Sequence, residues 1–273
     1  MNYKSLIIVP IIVLALSTAY LFWLSSTTGL TLDIDLKGGT QIVAESINDV
    51  NTQDLEAVLG DYDANVRVAK GVDVSTIFIE FDAEIDSDMV INTLNENGFD
   101  FDNYSVQTVG TTLGRAFFDQ ALVALAVALV FMAIAAFVIF KKPVLSLRVV
   151  FSAAADIIET LVVSQMLGVK LSLATFAALL LLLGYSVDDD VLLTARVTRG
   201  TGEVKERLNR ARKTAFTAIG TTSVALLALF VVIESTVIEQ IASIMVIGLL
   251  FDLMNTWMFN APILRWYAER GNK

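Results

Sequence analysis

Residues 171–196, LSLATFAALLLLLGYSVDDDVLLTAR, set three consecutive aspartates inside an apolar run long enough to cross a lipid bilayer. About 20 apolar residues span the hydrocarbon core, and an ionised side chain at that depth costs several kcal/mol unless it is paired or wetted. Asp188, Asp189 and Asp190 therefore point to an ion or proton pathway. A rival reading ends the span at Gly184-Tyr185-Ser186 and leaves 188–190 as surface acids of an inner loop. The remaining run, 171–183, is too short to cross alone, which favours the pathway.

The rest of the chain supports an integral membrane protein. Its 273 residues are 55% hydrophobic, and charge-free blocks recur along it. They predict six spans, at about 1–24, 116–140, 149–168, 171–197, 214–234 and 238–260. The first block follows Lys4 and is longer than the apolar core of a signal peptide, so an uncleaved anchor is expected. The chain has 0 Cys and 0 His. Zinc sites, disulfides, thiol nucleophiles and Ser/His/Asp triads have no residues to use, and neither a metal nor a cofactor is expected.

Basic residues orient the spans. Alternate connections carry Lys4, then Lys141, Lys142 and Arg148, then the cluster Arg196, Arg199, Lys205, Arg207, Arg210, Arg212 and Lys213, then Arg265, Arg270 and Lys273. The positive-inside rule places these, and both termini, in the cytoplasm, with residues 25–113 outside. The 196–213 cluster is topogenic rather than nucleic-acid binding, because no aromatic residue between 197 and 215 offers a stacking platform.

The outside region holds seventeen Asp and Glu residues against Lys37, Arg67 and Lys70. Its patterning predicts strand over 31–36 and 40–45 with a bulge or turn at Gly38-Gly39, then a helix over 51–59. A hairpin follows, 64–69 with 75–81 around 70–74, then a helix over 86–96 capped by Ser87, and a last strand over 104–109. The order β-α-β-β-α-β is ferredoxin-like, a fold that many unrelated functions share. The fold class is thus a polytopic α-helical membrane protein of six spans, with one extracytoplasmic ferredoxin-like α+β domain (25–113) ahead of a five-helix membrane domain (114–273).

The intramembrane charges can be placed on these spans. Asp156 lies eight residues beyond Arg148, and Asp189 lies seven before Arg196. At 1.5 Å per residue both sit roughly 10–12 Å above the inner boundary, at matching depth on antiparallel helices. Glu159 shares the Asp156 face one turn deeper, and Asp252 lies near the middle of span six. Three successive aspartates sweep about 200° around a helix, so they cannot all face one partner. At least one lines a crevice, and another meets Arg196 or water. For Asp156 and Asp252 the competing role is polar glue between helices. Ser164, Thr175, Thr217, Thr221, Thr222 and Ser223 read as packing hydroxyls.

These residues carry a resemblance. Asp33-Ile34-Asp35-Leu36-Lys37-Gly38-Gly39-Thr40, Asp156, Gly184-Tyr185-Ser186-Val187-Asp188-Asp189-Asp190, Asn255-Thr256-Trp257 and Leu264-Arg265-Trp266-Tyr267 are similar to the SecD–SecF family of protein-export membrane proteins. The likeness covers nearly the whole chain and is strongest to the archaeal SecF branch. That family belongs to the resistance–nodulation–division superfamily, whose membrane halves use span-four carboxylates for proton flux. Carried over, the Gly-Tyr-Ser-x-Asn-Asp pattern puts the acidic position at Asp189, with Asp188 where bacterial members have Asn. Asp35, Gly38, Gly39, Gly184 and Tyr185 fall on the family's structural motifs. Bacterial members place an Arg at the start of span five, where this chain has Thr214 beside Lys213. Leu36-Lys37-Gly38-Gly39 leans toward the SecD form of its motif, whereas the length favours SecF.

The resemblance implies a non-enzymatic, auxiliary subunit of the Sec protein translocation machinery in the cytoplasmic membrane, driven by the proton or ion gradient. Its implied partners are SecD, the Sec protein-conducting channel, the translocating polypeptide and membrane lipid, with no nucleic acid. The pathway candidates are Asp189, Asp156, Asp188, Asp190 and Asp252. Protonation of Asp189, with Asp156 nearby, would neutralise a buried charge, repack the spans and move the outside domain. SecD would supply a second six-span half. Two alternatives remain open: a proton-coupled exporter of a small molecule or lipid, and an intramembrane aspartyl protease using Asp156 and Asp189. The protease's usual Tyr-Asp and Gly-x-Gly-Asp patterns are absent from the apolar runs.

Overall fold

The computed structural model describes residues 6–46, 50–70, 75–99, 101, 103–233 and 235–271. Lys4, Lys273, the expected turn residues 71–74 and the side chains of Lys70, Arg199 and Arg270 lie outside what is described. The elements begin with α1 (Ile8–Thr27), α2 (Ile34–Lys37), β1 (Gly39–Ser46), α3 (Thr52–Val58), β2 (Asn65–Lys70), β3 (Ser75–Phe81), α4 (Ser87–Glu96) and β4 (Asn103–Val109). Helices α5 (Thr111–Phe140), α6 (Pro143–Met166), α7 (Leu173–Arg199), α8 (Val204–Val232) and α9 (Thr236–Asn255) follow, and a π-helical segment, Thr256–Asn260, joins α9 to α10 (Ala261–Gly271). The chain forms two compact units, Leu32–Leu122 and Met1–Thr31 with Val123–Lys273.

The first unit is a four-stranded sheet in the order β2-β3-β1-β4, antiparallel throughout. Ile42 pairs with Ile79 on one side and Val106 on the other, which fixes the register of the central strand. Ile42, Ile77, Ile79 and Phe81 pack against Leu55 of α3 and Val90 and Leu94 of α4, so the two helices cover one face of the sheet. Their periodicity was readable, but the cap of α4 is Asp86, whose side chain accepts from Asp88 N at 3.0 Å, not Ser87.

The strand expected over 31–36 is instead the helical turn α2. Asp33 is extended, and its side chain accepts from Ile34 N at 2.7 Å, an N-cap that commits the next residues to a helix. Ile34 and Leu36 are both buried, at 2% and 1% exposure, so an alternation that imitates a strand here serves a tight corner. Gly38 ends the turn at φ +82°, and a Cβ there would lie 2.5 Å from the Thr111 Cα. Only glycine meets both demands.

The second unit is all helical. Lys141, at φ +52°, closes α5, and Pro143 opens α6 at a position where its missing N–H is harmless. Ser172 and Thr175 form a reciprocal capping box at the start of α7, so Thr175 is a cap rather than a packing hydroxyl. Helices α6, α8 and α9 start earlier than the apolar blocks alone suggested, at Pro143, Val204 and Thr236, because polar residues extend them, whereas α7 starts at Leu173, just inside its block. Helix α9 packs against α6, α7 and α8. Ala178, Leu179 and Leu182 of α7 meet Ile244, Met245 and Leu249 of α9, while Val149, Ala153 and Ile157 of α6 meet Met132 and Ala136 of α5. After α1, Thr31 is pinned to the α6–α7 connection: Leu171 N donates to Thr31 O at 2.9 Å, and Thr31 N donates to Gln165 Oε1 at 2.7 Å.

Among the described residues, four helices are long and apolar enough to cross a membrane: Ile8–Thr27, Thr111–Phe140, Val204–Val232 and the continuous run Val237–Glu269. They leave Phe22, Trp23, Val130, Phe131, Val224 and Val231 exposed, a surface suited to lipid rather than water. Helices α6 and α7 are more deeply buried, and their buried residues include Arg148, Asp156, Glu159, Ser186, Asp190 and Thr194.

Candidate functional site

Three sets of helical spacing converge on one seam. Arg148, Ser152, Asp156 and Glu159 recur every three or four residues along α6 and form a single stripe. Ser186, Asp190 and Thr194 do the same on α7. Asp252, Asn255, Thr256 and Asn260 come from the end of α9 and the π segment. All eleven are buried, none more than 4% exposed. A π turn carries one extra residue, and here both ends of the segment, Thr256 and Asn260, face Asp190. Such insertions in α-helices often mark functional positions.

Asp156 is the centre of the seam. Its Oδ2 accepts from Ser186 Oγ at 2.6 Å and its Oδ1 from Asn255 Nδ2 at 2.7 Å. The same Asn255 amide donates to Glu159 Oε2 at 2.7 Å, linking two acids one turn apart. Asp190 accepts from Asn260 Nδ2 through both oxygens, at 2.6 and 2.7 Å. The Thr256 hydroxyl lies 3.4 Å from Asp252 Oδ1 and 3.5 Å from Asp190 Oδ1, and its one proton serves one of them at a time. Arg148 Nη2 donates to the Thr194 hydroxyl, which donates in turn to the Asp190 carbonyl at 2.7 Å. Arg148 Nε and Nη1, Ser152 Oγ, Glu159 Oε1, Asp252 Oδ2 and Asn260 Oδ1 have no hydrogen-bond partner among the described residues. These six polar atoms lie along one buried line.

The structure therefore sorts the acids that the sequence grouped. Asp156, Asp190 and Asp252 meet in the seam. Asp189, the position carried over from the family pattern, is half-buried beside it, and Asp188 is exposed. The partner of Asp156 on α7 is Ser186, not Asp189. Gly184 and Tyr185 lie on the exposed face of α7, and a Cβ on Gly184 would meet nothing. Among the described residues Arg196 reaches no aspartate; it donates to Thr214 Oγ1 at 2.7 Å and to the Arg210 carbonyl at 3.5 Å. Arg148, read from sequence as a boundary charge, is instead buried. Ser186, Asn255 and Thr256 entered only as motif residues and Asn260 not at all, although the i, i+4 spacing 252-256-260 and 186-190-194 was visible. Asp35, Gly38 and Gly39 belong to the sheet unit, where Asp35 Oδ1 accepts from Gln107 Nε2 at 3.2 Å. Among the described residues no cluster of acids has the geometry of a metal site.

Residues 89–270 match the family model described as protein export membrane protein SecD/SecF, C-terminal. The chain is 34% identical over 275 residues to the protein-export membrane protein SecF of Methanolacinia petrolearia, covering 99% of this chain and 95% of that one. It is 36% identical over 276 residues to the SecF of Methanocaldococcus jannaschii, covering 97% and 96%. Among solved structures it is similar in fold to SecDF, a translocon-associated membrane protein from Thermus thermophilus, with a TM-score of 0.78 at 19% identity. That match takes in 98% of this chain and 38% of the longer one.

Proposed function

The chain belongs to the SecD/SecF family of protein-export membrane proteins, and we propose that it serves the Sec machinery of the cytoplasmic membrane as an auxiliary subunit coupled to the proton or ion gradient. The observation that carries the coupling is the seam: four buried carboxylates on helices whose outer faces are apolar. Acids at that depth are costly and seldom kept without a transport role.

In this reading all six long helices cross the membrane, α6 and α7 included, with both termini in the cytoplasm. The sheet unit is an extracytoplasmic, ferredoxin-like domain, a reading supported by its element order and its β2-β3-β1-β4 antiparallel sheet. SecD is the partner that completes the transporter. The likeness to 38% of a longer SecDF chain supports a unit of which this chain is one part, and Asp188 and Asp189 on the open side of α7 would need cover from a neighbour. Loading the seam with a proton or ion changes how α6, α7 and α9 hold together, and the strand-bearing domain, grafted between α1 and α5, passes that change to the emerging polypeptide near the Sec channel.

Depletion of the chain tests this reading. Pulse-chase labelling should show precursors of exported proteins accumulating on the cytoplasmic side, with recovery on re-expression. Normal precursor processing, with a small-molecule or lipid efflux defect instead, would replace export by the exporter alternative.

A further inference from the structure

The seam is short of positive charge, and the shortage sorts its acids. Asp156, Glu159, Asp190 and Asp252 are each at most 1% exposed, whereas among the described residues of the helical unit one cation, Arg148 at 4%, shares their burial. A guanidinium keeps its proton in any protein environment, so one of the four acids must stay ionised to balance it. Were all four ionised, three negative charges would remain in a low-dielectric interior, which is prohibitive.

Geometry identifies the balancing acid. Arg148 Nη2 meets Thr194, one turn beyond Asp190 on the same face of α7, and Asp190 is the carboxylate whose field acts on Arg148. Asp190 is also held through both oxygens, which accept from Asn260 Nδ2. It is faced by Arg148 from α6, by Asp252 from α9 and by Asp189 on its own helix. Asp156 lies in the field of Asp252 and Asp190, and Asp252 in that of Asp190 and Asp189; the Ser186 hydroxyl reaches both Asp156 and Asp252, and no cation among the described residues acts on either.

We propose that Arg148 is the fixed counter-cation that holds Asp190 as a permanent anion, and that the exchanging proton or cation binds at the Asp156–Asp252 pair. Arg148 and Asp190 are positioning residues: they anchor α6 and α7 to the π segment. Asp156 and Asp252 share the mobile charge. A proton taken up there forms an O–H bond on one carboxylate oxygen, and release to the other side of the membrane breaks that same bond. Glu159 extends the pair outward along α6 through the Asn255 amide. The second half of this assignment rests on the ion-coupled reading above, whereas the Arg148–Asp190 pair stands without it.

A double-mutant cycle in the full chain, expressed in membranes with the complete export machinery, separates the two. Arg148→Gln and Asp190→Asn each strand one buried charge, so each should lower the yield of folded protein and its melting temperature. The double variant removes both charges and should recover at least about tenfold over the product of the single effects. Arg148→Lys should keep most of the yield. Additive losses in the double variant would overturn the pair, as would a double variant that accumulates no better than single variants that fail to accumulate. Gradient-stimulated export tests the second half. Asp156→Asn and Asp252→Asn should accumulate and lose the gradient response, while Arg148→Gln/Asp190→Asn keeps part of it. A double variant that accumulates but loses the response as fully as Asp156→Asn would overturn the division of roles. A gradient response untouched by every variant, with the charge cycle intact, would reject ion coupling and leave the pair standing.

Discussion

The Ser186 hydroxyl lies 2.6 Å from Asp156 Oδ2, joining α7 to α6 at the carboxylate whose other oxygen already holds Asn255. One acid thus reads three helices at once. As a carboxylate it accepts from both donors; once protonated it also carries an O–H donor, so the hydrogen bond to Ser186 or Asn255 on that oxygen must reverse or be replaced. Glu159 Oε2 is already on Asn255, and Thr256 stands between Asp252 and Asp190, so alternative partners are one turn away. On the proposed ion-coupled reading, a change of one charge would alter which helices are tied together, and so couple a gradient to helix packing.

Topology should follow the loop charges. The chain has 0 Cys, so single cysteines report without background. A cysteine at Glu56, exposed on α3, should react with an impermeant thiol reagent added outside, and one at Lys205, exposed on α8, only after permeabilisation. Labelling of both from one side would reject the six-span arrangement.

Gly38→Ala should destabilise the chain by about 2 kcal/mol or more, because it sets a Cβ against the Thr111 backbone at a left-handed φ. Gly60→Ala, with open space around it and an ordinary φ, is the control and should cost far less. Thermal unfolding in detergent measures both.

Asp35 gives a pH dependence outside the membrane helices. Burial, and next the charge of Asp33, push its carboxyl above the ordinary 3.8, against the Gln107 hydrogen bond. The folded state therefore holds this proton more tightly than the unfolded chain. Its contribution to stability is complete below pH 3.8 and is lost as pH rises from there through the raised folded value. Asp35→Asn keeps the acceptor for Gln107 and removes the charge. It should raise stability at pH 7 by less than about 1 kcal/mol, since the group is half-exposed and screened. It should also flatten the stability profile just above pH 3.8. A lower stability at pH 7 would show that the charge is favourable where it stands.

The sequence revealed the seam in outline because an acid in an apolar helix is conspicuous: Asp156 and Asp252 stand alone among hydrophobic neighbours, and both lie in it. Asp188, Asp189 and Asp190 were harder, since 100° per residue means that neighbouring helices decide which one turns inward, and the packing of α9 selects Asp190. Arg148 sits near a run of lysines and so resembled a boundary charge; only the earlier start of α6, set by Pro143, carries it inside. Asn255, Thr256 and Asn260 are neutral and resemble packing groups until the π segment turns them together. In the sheet unit, strand and helix periods were legible for β1 to β4, α3 and α4. Around α2 the local cap of Asp33 overrode an alternation that imitates a strand.

Gradient-stimulated export by Asp156→Asn, set beside Asp189→Asn, bears most directly on the seam as the coupling element. Both variants should accumulate and associate with their partners. Asp156→Asn should export only at the rate seen without a gradient, whereas Asp189→Asn, half-buried beside the seam, should keep a larger share of the stimulation. Full stimulation with Asp156→Asn in the membrane would contradict ion coupling through this seam and leave its acids as helix-packing groups.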